Sequence, residues 1–272
     1  MQILAGIPTR RRKVGSIIEV IEPFVDGIVV ASQKSEVTNT SEKCEVVELE
    51  ERGICYPRNY LTDIALDLKF DWMFQIDDDL KFAPKLMQHL LDIINSPFKI
   101  GAVSSDSRVL AHWSESLVTN QTFKISGVAS QLWAVNMNAM REVLDKFAEP
   151  AFYIDALEDI RFSMKLWDLG WPVVRLHLGD KLVHHPQTAR LSKTDSQGGQ
   201  YISERNASMR WAIEKMQYFC NRETGVLRFL KPNMKSPDNI GYRIGYNYDV
   251  MLRNAVDRWG LQGYEDSKGR EF

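Results

Sequence analysis

Short apolar runs alternate with segments of helical periodicity along the first part of the chain, and this alternation restricts the folds open to it. The strand candidates are residues 3–7, 27–31, 44–49, 72–76, 101–104, 127–135, 173–176 and 181–183. The helical patterns are residues 14–21, 58–68, 85–94, 139–147 and 159–169. The segment Pro8-Thr9-Arg10 is expected to end the first strand. This order predicts an α/β fold in which helices flank a mostly parallel, Rossmann-like sheet.

The sequence changes character after His185. Residues 191–200 are polar and end in two glycines, which is typical of a loop, and residues 203–219 have the periodicity of a long helix. Gly, Pro and Asn then interrupt a segment rich in Tyr and Arg. We therefore expect a core over residues 1–186. Residues 187–272 are expected to form a helical and irregular extension that packs on the core and is a candidate for binding the acceptor.

Composition and cysteine spacing indicate the cellular compartment of the protein but not the reaction that it catalyses. The 272 residues are 44% hydrophobic, enough to bury a substantial core, and carry a formal net charge of -2. The three cysteines show no close paired spacing, so neither a disulfide framework nor a zinc knuckle is indicated. No run approaches the roughly 20 apolar residues of a membrane span. We expect a soluble, cytoplasmic protein without a membrane partner; its oligomeric state is left open.

Charge is unevenly distributed along the chain. Residues 181–243 contain eleven Lys and Arg against five Asp and Glu, a balance of +6, which leaves -8 on the remainder. Such a segment favours a polyanionic partner, although a solvated basic face is the commoner cause.

Three adjacent acids, Asp77, Asp78 and Asp79, directly follow the apolar run Trp72–Ile76. They should emerge at the carboxyl end of a central strand, where open α/β sheets bind ligands. Residues i and i+2 of an extended segment point the same way, so Asp77 and Asp79 can converge on one cation. Carboxylate oxygens suit Mg²⁺ or Mn²⁺, which bridge phosphate oxygens. The alternative is a solvated acidic turn that caps the next helix.

Four elements in this order resemble the GT-A class of nucleotide-sugar glycosyltransferases over residues 2–186. They are Pro8-Thr9-Arg10 after the first strand, Pro57-Arg58-Asn59 at a helix start, the acids after Ile76, and Leu157-Glu158-Asp159 leading a helix. The resemblance implies a GT-A fold, a nucleotide-sugar donor with a UDP-sugar favoured, and Mn²⁺ or Mg²⁺ as cofactor. It also implies an enzyme, a glycosyltransferase acting on an acceptor hydroxyl.

The resemblance also implies roles for residues on the donor side. Pro8, Thr9 and Arg10 would line the nucleotide pocket, and Arg58 would lie near the base or phosphates of the donor. The metal-site residues would be Asp77, Asp79 and either His184 or His185. Asp77 and Asp78 would also contact the donor, and Asp77 could bind the ribose or sugar instead of the metal.

On the acceptor side, Asp159 would be the catalytic base of an inverting enzyme, with Glu158 as the second candidate. A base must lie within hydrogen-bond reach of the attacking hydroxyl, opposite the leaving diphosphate. Two alternatives stay open: both acids could simply favour the helix N-terminus electrostatically, and a retaining reaction would need no such base.

A finer resemblance is to the TET-associated glycosyltransferases of bacteriophages, which implies 5-hydroxymethylpyrimidine in DNA as the acceptor and the host cytoplasm as the location. Residues 10–13 and the +6 stretch could neutralise phosphates. Trp133, Tyr242 and Arg243 are candidates for binding an extruded base. Alternatively these residues pack a C-terminal lobe onto the core, and the acceptor is a small molecule, a glycan or a protein.

Two other classes of protein compete with this reading. A nucleotidyltransferase would also place acids beside a nucleotide, but residues 5–10 lack the glycine-rich loop that such enzymes carry after the first strand. A non-catalytic DNA-binding protein would have no need for three acids at a strand end. The motifs of serine hydrolases, zinc proteases and P-loop enzymes do not occur in the sequence.

Overall fold

The computed structural model describes residues 1–10, 13–33, 41–50, 52–97, 99–105, 123–126, 132–152, 158–171, 173–176, 183–184, 228–230 and 243–245. The predicted loop over residues 191–200 and the predicted helix over residues 203–219 lie outside these residues, as do His185 and Tyr242. The division into a core and an extension stays a prediction.

Twelve strands lie in the described part of the chain. In chain order they are β1 Ile3–Arg10, β2 Gly27–Gln33, β3 Cys44–Glu48, β4 Trp72–Ile76, β5 Lys81–Phe82, β6 Ala102–Ser104, β7 Phe123–Ser126, β8 Leu132–Asn136, β9 Val173–Leu176, β10 Val183–His184, β11 Arg228–Leu230 and β12 Arg243–Gly245. Eight of them form one sheet in the order β3-β2-β1-β4-β8-β6-β9-β7. Because only β8 and β7 run against the other strands, the predicted mostly parallel sheet is confirmed.

The helices fall between the strands, as a βαβ series requires. They are α1 Gly15–Ile21, α2 Cys55–Asp67, α3 Pro84–Ile94, α4 Met137–Phe147 and α5 Glu158–Asp168, with a short 3-10 helix at Glu22–Phe24. The stripe Leu86, Leu90 and Ile93 of α3 is buried in the core, the arrangement that its 3.6-residue periodicity predicts. None of the described helices has the length and apolar character that a membrane crossing requires.

Some element boundaries differ from the predictions. Strand β1 continues through Pro8 to Arg10, because its pairing with β4 ends at Gly6 and the missing N–H of Pro8 breaks no bond on that side. Helix α2 begins at Cys55, which places Pro57 in its first turn, where helical N–H groups have no intrahelical partner. Of the strand predicted over residues 127–135, the described part is β8, which begins at Leu132; residues 127–131 lie outside the described residues.

The order of the first four strands positions the site. The chain lays β2 and β3 on one side of β1 and then returns to place β4 on the other side. This reversal is a topological switch point, and the crevice outside the carboxyl ends of β1 and β4 is where open α/β sheets bind ligands. Strand β4 is buried along its whole length, so the three acids after Ile76 begin where the core ends.

Candidate functional site

The acidic tip, residues Asp77, Asp78 and Asp79, lies at the switch point between β1 and β4. The Thr9 hydroxyl donates a hydrogen bond to Asp78 Oδ2 over 2.8 Å, and the backbone N–H of Arg10 donates to the same oxygen over 3.3 Å. These bonds join residues 69 and 68 positions apart in the sequence. The structure thus brings together the ends of β1 and β4, which the sequence analysis assigned to one site.

Arg58 connects the acidic tip to the start of α5. Its Nη2 donates to Asp77 Oδ1 over 2.7 Å, and its Nε lies 3.2 Å from Glu158 Oε1, an ion pair without hydrogen-bond alignment. Its Nη1 donates to Gln75 Oε1 over 3.4 Å. The guanidinium is therefore held between two carboxylates that come from different elements.

The Arg58 side chain is turned into the protein beside the acidic tip. Only 4% of it is exposed, and Nη1 and Nη2 donate to protein oxygens, so its place near the base or phosphates of a donor stays a prediction. The physical reason for this orientation is that an unpaired carboxylate at this depth would be costly, and the nearest cation satisfies it. Arg58 therefore binds Asp77 from the buried side of the acidic tip.

Burial and charge act against each other in this cluster. Burial lowers the pKa of Arg58, but the carboxylates of Asp77, Glu158 and Asp159 oppose it and leave the pKa raised above its ordinary value. Burial raises the pKa of Glu158 from 4.5 to about 8, against the opposing charge of Arg58 and with further upward contributions from Asp159 and Asp77. The cluster therefore holds one fixed cation, and Glu158 is the carboxyl whose charge depends on pH near neutrality.

The raised pKa of Glu158 makes folding stability depend on pH. The folded state keeps a proton that the unfolded chain loses above pH 4.5, so this stabilising contribution is complete below pH 4.5 and disappears as pH rises to about 8. We expect the melting temperature of Glu158→Gln, relative to the parent protein, to increase between pH 5 and pH 8. Thermal unfolding across this range measures it, with Glu19→Gln on the exposed side of α1 as control. A difference that stays constant with pH would contradict the assignment.

An aromatic cluster lies beside the Arg58 network. Trp133 contacts Phe152 edge-on at 5.9 Å between ring centroids and Phe162 at 5.3 Å, and the two phenylalanine rings are 5.1 Å apart. The exposed fraction of Trp133 is 0%, which corrects its assignment as an acceptor-stacking residue: no face of the ring is open to a base. The Trp133 side chain lies on the face of β8 that packs against α5. The alternation of residues in the strand does not show which of its two faces binds a ligand.

The remaining predicted residues are placed only in part. His184 pairs with Lys81 in the antiparallel β10–β5 ribbon, and Lys81 follows Asp79 by two residues, so the backbone of His184 lies close in space to the acidic tip. Arg243 begins β12 and pairs with Leu230, with no described link to the crevice. The metal role of His184 and the acceptor role of Arg243 stay predictions.

Three polar residues of the region were not assigned a role from the sequence. Gln75 is fully buried and binds Arg58. The sequence feature that could have identified it is a single amide residue inside an apolar strand, directly before the acids. Asn59 binds the backbone of Phe152, and Lys165 binds carbonyls of the segment before α5. No local pattern marks these two contacts, because they join residues 93 and 15 positions apart.

The donor set at the acidic tip suits a hard divalent cation. Within the described residues no three His, Cys, Asp or Glu side chains are grouped to hold a metal. Magnesium-type sites commonly use one or two carboxylates and complete their coordination with water and substrate phosphates. Asp77 and Asp79, half-buried at the crevice, fit that kind of site, and the ribbon adds the histidine-bearing strand.

The sheet order is that of the GT-A fold, and solved structures agree. S. aureus TarS, solved with UDP-GlcNAc, has 14% identity and a TM-score of 0.52 over 80% of this chain and 67% of its own. Glucosyl-3-phosphoglycerate synthase from Mycobacterium tuberculosis, solved with Mn²⁺, UDP-glucose and phosphoglyceric acid, has 17% identity and a TM-score of 0.51 over 76% and 79%. Neither a family model nor a curated protein matches the sequence. The predicted GT-A fold is confirmed; the activity has to be argued from the site.

Proposed function

We propose that this protein is a metal-dependent glycosyltransferase that moves a sugar from a nucleotide-sugar donor, with a UDP-sugar favoured, to an acceptor hydroxyl. One observation carries the proposal: Arg58 joins Asp77 of the acidic tip to Glu158 at the start of α5, within 2.7 and 3.2 Å. This contact supports one crevice, at the switch point of the sheet, in which Asp77 would help to hold a diphosphate and the start of α5 would activate a hydroxyl. A fold of this class hosts many reactions, so the arrangement of side chains supports the function.

On the donor side, we assign the ends of β1 and β4 to the nucleotide and its diphosphate. Asp79 and Asp77 would hold the divalent cation, with His184 or His185 as a further ligand. Asp78 braces this loop through Thr9, so that the acids keep their position when phosphates approach. Pro8 and Arg10 would border the nucleotide. Mn²⁺ or Mg²⁺, when bound, would neutralise the negative charge of the departing diphosphate.

On the acceptor side, we assign Asp159 as the base that accepts the proton of the attacking hydroxyl. Asp159 is half-buried in the first turn of α5, whereas Glu158 is almost completely buried and faces Arg58. Only a carboxylate that a hydroxyl can approach meets the demand of proton transfer, and this favours Asp159 over Glu158. The assignment implies inversion at the anomeric carbon.

For the acceptor itself, 5-hydroxymethylpyrimidine in DNA is the candidate that the basic segments favour. Arg10, the first residue of the basic run 10–13, ends β1 beside the acidic tip, and a basic residue at that place would contact phosphates of a bound strand. With Trp133 in the core, base stacking would have to come from other aromatic residues. A cytoplasmic location stays part of the proposal, because the three cysteines of the sequence show no close paired spacing of the kind that a disulfide framework has.

Calorimetry followed by a donor and acceptor panel tests the proposal. We expect UDP to bind in the presence of Mn²⁺ and to bind at least about tenfold more weakly when EDTA removes the metal, because Asp77 and Asp79 would hold the cation and the cation would neutralise phosphate charge. The panel supplies UDP-, GDP- and CMP-sugars with unmodified DNA, hydroxymethylated DNA, or water alone, and product nucleosides are read by mass spectrometry.

The outcomes test the enzyme class and the DNA acceptor separately. Metal-independent binding of every nucleotide, or no binding at all, would reject the glycosyltransferase. Binding and donor hydrolysis without transfer to hydroxymethylated DNA would reject the DNA acceptor and keep the enzyme class.

A further inference from the structure

The segment that leads into α5 is held by a buried lysine. Lys165, in the second turn of α5, has an exposed fraction of 0%, and its Nζ lies 2.8 Å from Glu149 Oε1. The same ammonium donates to the carbonyls of Pro150, over 3.1 Å, and Ala151, over 3.4 Å. Three successive residues before α5 are thus bound to a later turn of α5 itself.

The next residue of that segment is held from the other side by α2. The Asn59 amide donates from Nδ2 to the carbonyl of Phe152 over 2.8 Å, and its Oδ1 accepts from the N–H of Phe152 over 3.0 Å. One side chain therefore satisfies both backbone groups of Phe152, as a neighbouring β-strand would. Asn59 and Lys165, which we call the clamp, together bind every residue from 149 to 152.

A purely structural reason for the clamp is insufficient. Burying an ammonium costs several kcal/mol before its partners compensate, and an apolar side chain of similar volume would fill the space more cheaply. The paired lysine and the paired amide fix the position of residues 149–152, because their hydrogen bonds form only in one geometry. The question is which part of the molecule requires that precision.

The clamp adjoins the proposed reaction site through short connections. Asn59 follows Arg58, which binds Asp77 and Glu158, and the Arg58 guanidinium lies 5.9 Å from the centroid of the Phe152 ring. Only residues 153–157 separate Phe152 from Glu158. Fixing Phe152 therefore fixes one end of the short connection whose other end carries Asp159.

We propose that Asn59 and Lys165 are positioning residues, which hold the segment before α5 so that Asp159 stands at the correct distance from the donor bound at the acidic tip. This inference rests on the proposed function. Neither residue touches a reacting atom; each acts through Asp159. Loosening the clamp should displace the base while the donor site, built from β1 and β4, keeps its shape.

The experiment compares Asn59→Ala with Asn59→Asp and with the matched control Asn95→Ala. Asn95 binds Leu91 O at the end of α3, where the chain returns to the start of β6, at the edge of the sheet opposite the acidic tip. Turnover of a UDP-sugar is followed as UDP release with water or acceptor, and the affinity for UDP with Mn²⁺ is measured by calorimetry. Both assays run at least 20 °C below each melting temperature.

For Asn59→Ala we expect kcat to fall by about 10- to 100-fold, since a displacement near 1 Å can cost about 100-fold. The affinity for UDP with Mn²⁺ should change by less than about twofold, because the hydrogen bonds of the Asn59 side chain go to Phe152 and not to the acidic tip. Asn59→Asp keeps the acceptor for the N–H of Phe152 and should recover part of kcat. Asn95→Ala should leave kcat and UDP affinity as in the parent protein. Lys165→Met, if it folds, should reproduce the loss in kcat; if it does not, the Asn59 series decides alone.

Two results would overturn the inference while the proposed function stands: an unchanged kcat in Asn59→Ala, or equal losses in kcat and UDP affinity, which indicate a general structural defect. A parent protein that neither binds UDP with Mn²⁺ nor cleaves any nucleotide sugar would overturn the proposed function, and the positioning role with it.

Discussion

Replacing Asp79 by alanine should abolish sugar transfer while the protein stays folded. In the proposed site Asp79 would hold the cation, and a metal acting as a Lewis acid contributes several kcal/mol to stabilising transition-state charge. At 1.36 kcal/mol for each tenfold change, we expect kcat/KM to fall by roughly 1000-fold or more. The dependence of UDP binding on Mn²⁺ should be lost in the same variant.

The retained fold follows from how the acidic tip is anchored. Asp77 is bound by Arg58 and Asp78 by Thr9, so these anchors remain when Asp79 is truncated. Circular dichroism and thermal unfolding should match the parent protein. Asp92→Ala, which removes an exposed carboxylate from α3, is the control and should keep full activity. Normal turnover in Asp79→Ala would refute the metal assignment.

The place of the acidic tip could be predicted because it depends on local pattern and one rule of sheet topology. The apolar run Trp72–Ile76 marks a buried strand, and acids directly after such a strand must emerge at its carboxyl end. The meeting of Thr9 and Asp78 follows from the same rule, since parallel neighbouring strands end at one edge of the sheet. Neither inference requires knowledge of side-chain packing.

The direction in which Arg58 points could not be predicted, because it depends on which partners are buried near it. From the sequence, a cation beside a phosphate site is expected to face the phosphates. In the folded protein Gln75 and two carboxylates surround the guanidinium, and satisfying buried charge decides the rotamer. Two of those partners lie 17 and 19 residues away and the third lies on α5, so local periodicity carries no information about them.

The contacts of Trp133 and Asn59, two neutral side chains, could not be predicted either. An aromatic residue in a strand points to one of two faces, and the sequence left Trp133 open between stacking on an acceptor base and packing; contacts with Phe152 and Phe162 bury it. Asn59 was noted only as part of a helix-start motif. Its two bonds to a backbone 93 residues away arise from the packing of α2 against the segment before α5.

The second large effect is expected at Asp159. Asparagine has nearly the shape of aspartate but cannot accept the proton of an attacking hydroxyl, and general-base catalysis contributes typically about 100- to 10,000-fold. We expect Asp159→Asn to lose kcat in that range and to bind UDP with Mn²⁺ within about twofold of the parent protein, because an interaction made only in the transition state affects kcat and not donor affinity. Stopped turnover assays and calorimetry measure the two quantities separately.

The matched controls distinguish Asp159 from its neighbours. Asp145→Asn makes the same change at an exposed position of α4 and should be fully active. Glu158→Gln keeps a polar group beside Arg58 and should lose less activity than Asp159→Asn, because Glu158 faces the guanidinium at 3.2 Å and is nearly inaccessible to a hydroxyl. If Glu158→Gln were the inactive variant, Glu158 would be the base. If both variants were active and the product kept the anomeric configuration of the donor, the reaction would proceed without a base on α5, and the clamp would have no carboxylate to position.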